Sequence, residues 1–138
     1  MPLVGFLFDT TIAASHLVFS GVADRFPNIK WVLSHLGGAI PYLAERLDRG
    51  YFAFKECRAN ISRPPSEYLK QWHYDTVNFD RNALKLAINF AGADHIIAGS
   101  DCSHPVSTIP ATAREVPRPT WSGPPHARHT RNNPTHRN

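Results

Sequence analysis

Apolar residues recur at helical spacing in three stretches of the chain. The first begins after residues 9–11, an Asp-Thr-Thr run that suits a helix N-cap, and ends at Pro27, which cannot continue a helix. The second covers residues 39–54, with a proline in its first turn. The third covers residues 81–91, where Asp80 can cap the first turn. The pattern therefore predicts three amphipathic helices.

Short apolar runs without helical spacing lie between and after these helices. They cover residues 31–35, 72–77 and 95–99, and the first is unbroken enough to predict a strand that is buried on both faces. Helices and strands thus alternate along the chain, in the order helix, strand, helix, strand, helix, strand. This alternation is typical of an α/β fold with a parallel sheet and right-handed crossovers.

Ionisable side chains directly follow two of the predicted strands. His35 ends the first strand and Asp101 comes just after the third. In parallel α/β sheets, ligands bind at the carboxyl ends of the strands. His35 is therefore a candidate for acid–base chemistry, because imidazole changes its charge near neutral pH. A histidine that merely caps the end of the strand is an equally open interpretation of this stretch alone.

The composition limits the classes of protein that fit. A chain of 138 residues suffices for one modest domain, and it contains no run of 18 apolar residues that would predict a membrane span. The apolar N-terminal residues lack the basic region of a signal peptide. Two distant cysteines, Cys57 and Cys102, indicate a reducing compartment. We therefore expect a cytoplasmic protein without a membrane partner.

The net charge of +4 belongs to the C-terminal part of the chain. Residues 1–105 carry equal numbers of acidic and basic side chains, whereas residues 106–138 carry five arginines and a single glutamate. Six of the twelve prolines also lie in this last segment, without any helical or strand period. We predict one folded domain over residues 1–109 and a disordered Pro/Arg/His-rich tail over residues 110–138. The tail has one aromatic residue and no recognition motif, so nucleic acid is not expected as a partner.

Two motifs resemble those of the amidohydrolase superfamily. They are Ser34-His35-Leu36-Gly37-Gly38 and Gly99-Ser100-Asp101-Cys102-Ser103-His104. With Tyr74-Asp75-Thr76 and Arg46, they resemble the branch that includes aminocarboxymuconate-semialdehyde decarboxylase and resorcylate decarboxylase. The resemblance implies a metal-dependent (β/α)8 TIM barrel, of which the α/β domain over residues 1–109 would be a part, from about helix 5 to strand 8. A whole barrel takes about 250 residues, so the resemblance implies a C-terminal fragment.

The resemblance also implies roles for three residues. His35 would be the catalytic acid or base, Asp101 a metal ligand, and Arg46 the residue that binds a substrate carboxylate, if need be across a dimer interface. The cofactor implied is one divalent metal, zinc first and manganese as the alternative. In the family, the first strand supplies a His-x-His pair and the fifth strand a further histidine. This sequence contains no His-x-His.

The function implied for the complete enzyme is decarboxylation of a small unsaturated or aromatic carboxylate by a homo-oligomer, namely a dimer. Hydrolysis by a metal-dependent hydrolase of the same superfamily is the first alternative. The second is a catalytically incomplete fragment or interaction module that lacks the metal ligands of strands 1 and 5. We expect the isolated chain to hold no tight metal, to be inactive, and to expose an apolar flank where the rest of a barrel would pack.

Overall fold

The computed structural model of the protein describes residues 2–102. Its helices and strands, in chain order, are α1 (Pro2–Phe19), α2 (Val22–Arg25), β1 (Val32–Leu33), α3 (Ile40–Ala53), α4 (Pro65–Leu69), β2 (His73–Asp75), α5 (Arg81–Ala91) and β3 (Ile96–Ile97). Short 3-10 turns cover His35–Gly37, Glu56–Arg58 and Ala93–His95. The predicted tail over residues 110–138 lies outside the described residues and stays a prediction.

The three strands form one parallel sheet. β2 lies in the middle, so that Val32 of β1 is opposite His73, and Ile96 of β3 is opposite Tyr74. Parallel neighbours need long crossover connections. Here α3 and α4 lie in the connection from β1 to β2, and α5 lies in the connection from β2 to β3. The α/β fold with a parallel sheet, predicted from the alternation of elements, is confirmed.

The core joins the sheet to the helices. Its fully buried side chains include Val18 of α1, Ile40 of α3, Leu69 of α4 and Tyr74 of β2. The Tyr74 hydroxyl donates a hydrogen bond to the Leu69 carbonyl at 2.7 Å, which satisfies the one polar atom of this large side chain. Burial raises the pKa of Tyr74, so the hydroxyl remains a donor at any ordinary pH.

Helix α1 begins earlier than the sequence predicted. It starts at Pro2, so residues 9–11 lie in its middle and not at an N-cap. The Thr11 hydroxyl donates to the Leu7 carbonyl one turn back, at 2.7 Å. The predicted cap was wrong because a threonine hydroxyl that bonds inside its own helix leaves the same sequence signature as a capping threonine.

The first predicted helix is also interrupted at Gly21, before it reaches Pro27. Gly21 has a φ of +78°, and a Cβ atom there would lie 2.5 Å from the Asn60 carbonyl oxygen. Glycine alone accepts both the left-handed backbone and this close approach. The chain therefore turns at Gly21, and the residues that follow form the separate short helix α2.

Strand β1 is shorter and more open than predicted. Leu33 is 8% exposed, but Val32 is 56% exposed. β3 shows the same alternation, because Ile96 is buried and Ile97 is 40% exposed. The prediction of burial on both faces was wrong for this chain, since the described residues cover only one face of the outer strands.

The predicted helix over residues 81–91 is confirmed with the same bounds. The Asp80 carboxylate accepts a hydrogen bond from the Asn82 backbone N–H at 3.0 Å, and Gly92 follows the helix with a φ of +97°. Helix α3 agrees with the second predicted helix to within one residue at each end. Among the described helices, none combines the length and the apolar character that a membrane span requires.

Candidate functional site

The turn after β1 places His35 on a left-handed backbone. The φ angle is +56° at His35 and +53° at Leu36, and both glycines that follow also have positive φ. A left-handed backbone costs an L-residue about 1–2 kcal/mol. Glycine does not pay this cost, but His35 and Leu36 do. Contacts from other parts of the fold must therefore hold the turn in this conformation.

Two side chains from other elements bind the backbone of this turn. The Asp75 carboxylate, at the end of β2, accepts a hydrogen bond from the Leu36 N–H at 3.3 Å. The Thr11 hydroxyl of α1 accepts one from the Ala39 N–H at 2.9 Å. The first bond ties the turn to the neighbouring strand, and the second ties the start of α3 to α1.

The glycines of the turn let neighbouring elements approach closely. A Cβ atom at Gly37 would lie 2.6 Å from the Tyr74 ring. A Cβ atom at Gly38 would collide with the Leu7 carbonyl oxygen and lie 2.5 Å from the Thr11 hydroxyl oxygen. Both glycines are therefore required by packing as well as by their positive φ. The two glycines fix how closely α1 and the sheet enclose the turn.

His35 is half-buried beside α1. The Phe6 ring stacks on its imidazole, with ring centroids 6.2 Å apart and an interplanar angle of 22°. The Nδ1 atom of His35 is buried and has no hydrogen-bond partner among residues 2–102. Buried polar atoms in folded proteins normally have a partner, so an orphaned ring nitrogen calls for an explanation.

Asp75 lies at the end of the middle strand, and the sequence did not single it out as a site residue. Its Oδ1 atom accepts hydrogen bonds from the N–H groups of Val77, at 3.0 Å, and Leu36. Burial raises the pKa of the Asp75 carboxyl, while these N–H donors and the charge of the nearby His35 act in the opposite direction. The signal that could have found it is its position where the middle strand of a parallel sheet ends.

Asp101 follows β3 at the same edge of the sheet as His35. The outer strands of a three-stranded sheet are about 10 Å apart, so the residues that follow them flank Asp75. The Thr76 hydroxyl holds the two strand ends together, since it accepts from the Gly99 N–H at 3.1 Å and lies 3.2 Å from the Gly99 carbonyl oxygen, to which it donates. The strands that precede His35 and Asp101 thus end at one edge of the sheet, on either side of Asp75.

Arg46 is exposed on α3 and takes no part in this group. It lines a shallow surface depression with Tyr42 and Arg49. Within residues 2–102, it forms no hydrogen bond or ion pair with another side chain. Of the three residues singled out from the sequence, the fold therefore places two at the edge of the sheet and the third on an exposed helix surface.

The described residues supply only part of a metal site. Zinc sites in proteins take three or four protein ligands. Residues 2–102 contain no cluster of three His, Cys, Asp or Glu side chains that could hold an ion. Asp101 offers a carboxylate and His35 offers a ring nitrogen, so further ligands would have to come from other residues. On their own, the described residues do not fit a catalytic metal.

Parallel α/β folds bind ligands at the carboxyl edge of the sheet, which is the edge where the strands before His35 and Asp101 end. Residues 3–118 match the amidohydrolase family. The protein therefore belongs to the amidohydrolase family, as the motifs around His35 and Asp101 indicated.

Curated relatives of the chain are decarboxylases. It is 31% identical over 108 residues to 2-amino-3-carboxymuconate-6-semialdehyde decarboxylase of Dictyostelium discoideum. This match covers 78% of this chain and 30% of that protein. It is also 31% identical over 103 residues to gamma-resorcylate decarboxylase of Polaromonas sp., which covers 72% and 32% respectively. The chain thus spans about a third of the length of these relatives. The predicted branch of the superfamily is confirmed.

Solved structures of similar fold belong to the same branch. 5-Carboxyvanillate decarboxylase from Sphingomonas paucimobilis matches with a TM-score of 0.64 and 30% identity, over 77% of this chain and 33% of that one. Dihydroxybenzoic acid decarboxylase from Polaromonas sp. was solved with bound manganese and the inhibitor 2-nitroresorcinol. It matches with a TM-score of 0.65 and 29% identity, over 75% of this chain and 32% of that one. These neighbours are TIM barrels matched over about a third of their length. The exact segment, helix 5 to strand 8, stays a prediction.

Proposed function

We propose that this chain forms part of the active site of a decarboxylase that acts on a small aromatic or unsaturated carboxylate. The observation that carries the proposal is that β1 and β3, the strands that precede His35 and Asp101, end at the same carboxyl edge of one parallel sheet. The relatives named above are decarboxylases, which favours loss of CO2 over hydrolysis as the reaction.

His35 is proposed as the group that transfers the proton. In decarboxylation the bond between the substrate carbon and its carboxylate breaks, and the electron pair stays on that carbon until the carbon takes up a proton. His35 follows β1 at the carboxyl edge of the sheet, and an imidazole can give a proton near neutral pH, which supports this role. Stacking on Phe6 restricts rotation of the ring.

Asp101 is proposed as one ligand of a divalent metal whose other ligands lie outside residues 2–102. A carboxylate suits manganese or zinc, and manganese is bound in the dihydroxybenzoic acid decarboxylase cited above. Arg46 is proposed to bind a substrate carboxylate through its guanidinium fork. Because Arg46 is exposed on α3, it would do this at an interface with a second subunit of a dimer.

The two alternatives to this proposal are hydrolysis and a non-catalytic role. Metal-dependent hydrolysis uses the same residue types, but the curated relatives named above are decarboxylases. A catalytically incomplete fragment or interaction module is favoured by one observation, namely that residues 2–102 hold no cluster of three metal-ligating side chains. The experiment below separates this alternative from the proposal.

The test joins this chain to the remainder of a related barrel. The 138-residue chain is co-expressed with the N-terminal two-thirds of the gamma-resorcylate decarboxylase of Polaromonas sp., and CO2 release from 2,6-dihydroxybenzoate is measured with manganese. We expect turnover that is lost in His35→Ala and Asp101→Ala but retained in His16→Ala, which changes an exposed histidine of α1. A folded, co-purifying pair without turnover would favour the non-catalytic alternative.

A further inference from the structure

The turn that carries His35 cannot hold its own conformation. Two successive non-glycine residues, His35 and Leu36, have left-handed φ angles, which L-residues adopt only when surrounding contacts impose them. A small relaxation of this backbone would swing the imidazole away from the edge of the sheet. The position of His35 therefore depends on whatever fixes the backbone of the turn.

The side chain that reaches into this turn across the sheet is Asp75. Its Oδ1 atom accepts from the Leu36 N–H at 3.3 Å, between residues that are 39 positions apart in the sequence. The same oxygen accepts from the Val77 N–H at 3.0 Å. The hydrogen bond from Val77 closes a local turn and fixes the rotamer of Asp75. The bond to Leu36 uses that fixed carboxylate to hold the next strand end.

We propose that Asp75 is a positioning residue that holds the left-handed turn, and with it the imidazole of His35, in the orientation used for proton transfer. The part of this inference that concerns catalysis rests on the proposed function. Asp75 acts through the Leu36 N–H and the backbone of His35, and it does not need to touch the substrate.

A carboxylate suits this role better than a neutral acceptor. One oxygen that is shared by two N–H donors makes stronger bonds when it is charged. Asp75 on the middle strand also lies close to the segment that follows β3, because a Cβ atom added at Gly99 would lie 3.0 Å from the Asp75 Cβ atom. Asp75 therefore lies between the two ends that carry His35 and Asp101.

The experiment uses the full 138-residue chain and requires no turnover. Hydrogen exchange is measured by mass spectrometry on the backbone of residues 34–39, and on the imidazole C2–H of His35, with His16 as internal reference. In Asp75→Ala we expect the Leu36 N–H to exchange about tenfold faster, since a hydrogen bond to a charged group is lost. The C2–H exchange rate of His35 should change with it, while that of His16 should not.

Two further variants make the result decisive. Asp48→Ala is the matched control, because the Asp48 carboxylate accepts the Ser66 N–H at 2.8 Å and does not contact the turn. It should leave the exchange of Leu36 and His35 unchanged. Asp75→Asn keeps a weaker, neutral acceptor, so we expect exchange of the Leu36 N–H at a rate between those of wild type and Asp75→Ala.

The outcomes separate the inference from the proposed function. Unchanged exchange at Leu36 and His35 in Asp75→Ala would overturn the inference. If Asp75→Ala does not fold, Asp75→Asn decides alone, and wild-type exchange at Leu36 in that variant would overturn it. The exchange rates of Leu36 and His35 can both change while the pair of this chain and the decarboxylase fragment releases no CO2. In that case Asp75 still holds the turn, and only the proposed function fails.

Discussion

Glycine positions show at the scale of single residues how tightly α1 and the turn after β1 are packed. In Gly38→Ala, the new Cβ would meet the Leu7 carbonyl and the left-handed backbone would be strained, so we expect a loss of about 1–3 kcal/mol in the free energy of unfolding. Urea denaturation measures it. The control is Gly5→Ala within α1, where no atom lies within 4 Å of the added Cβ and a gain of about 0.5–1 kcal/mol is expected. Equal effects would contradict the packing described here.

A second cluster of polar side chains holds α4 against α2. The buried Tyr68 hydroxyl donates to the Asp24 carboxylate at 2.7 Å and accepts the N–H groups of Ser62 and Arg63. The hydrogen bond from Tyr68 is the largest of the effects that hold the pKa of Asp24 below 3.8, ahead of a hydrogen bond from Ser62 and the charge of Arg63.

The pH dependence of stability tests this cluster. Because the folded pKa of Asp24 is lowered, its contribution is complete above the unfolded value of 3.8 and is lost as pH falls through the folded value. At pH 7 we expect Tyr68→Phe to cost about 1–3 kcal/mol, and Tyr42→Phe, at an exposed tyrosine, to cost nothing measurable. Denaturation at pH 7 and pH 3 should show the cost of Asp24→Asn shrinking in acid. A cost independent of pH would contradict the assignment.

At the scale of elements, the sequence predicted what local chemistry decides. The bounds of α5 follow from Asp80 at its start and Gly92 at its end, and both act on neighbouring backbone groups. The start of α1 and the open face of β1 were missed, because they depend on what packs there in three dimensions. Asp75 was missed for the same reason, since its partner Leu36 is 39 residues away.

Replacing Asp80 and Asp9 distinguishes an aspartate that caps a helix from one that lies within a helix. Asp80→Ala should lower the free energy of unfolding by about 1 kcal/mol, because the carboxylate that accepts the Asn82 N–H is lost. Asp9→Ala should not lower it, since Asp9 lies within α1 and alanine is the better helix former. Both values come from the same denaturation experiment. A similar loss in Asp9→Ala would place the start of the helix where the sequence alone predicted it.

At the scale of the whole molecule, large apolar side chains of α1 and of the outer strands are exposed among residues 2–102. They are Leu3, Val4, Phe6, Phe8, Ile12, Val32 and Ile97. Exposed apolar surface of this kind normally marks a region that packs against other protein. Since relatives extend about three times the length of this chain, we propose that the rest of a barrel packs against part of this exposed apolar surface.

This exposed apolar surface should make the isolated chain associate. We expect light scattering to show oligomers that grow with concentration, and Leu3→Ser with Phe8→Ser to shift them toward smaller species. Phe52→Ser, at an exposed phenylalanine of α3, is the control and should have less effect. A stable monomer at all concentrations would contradict the prediction.

Metal content tests whether His35 and Asp101 supply only part of the proposed site. The isolated chain is loaded with manganese or zinc, dialysed, and analysed for bound metal, with and without Asp101→Ala. Because a catalytic metal needs at least three protein ligands and residues 2–102 provide no such cluster, we expect less than stoichiometric metal and no difference between the two chains. One equivalent per chain that is lost in Asp101→Ala would show that this chain completes the site by itself, and would contradict the account.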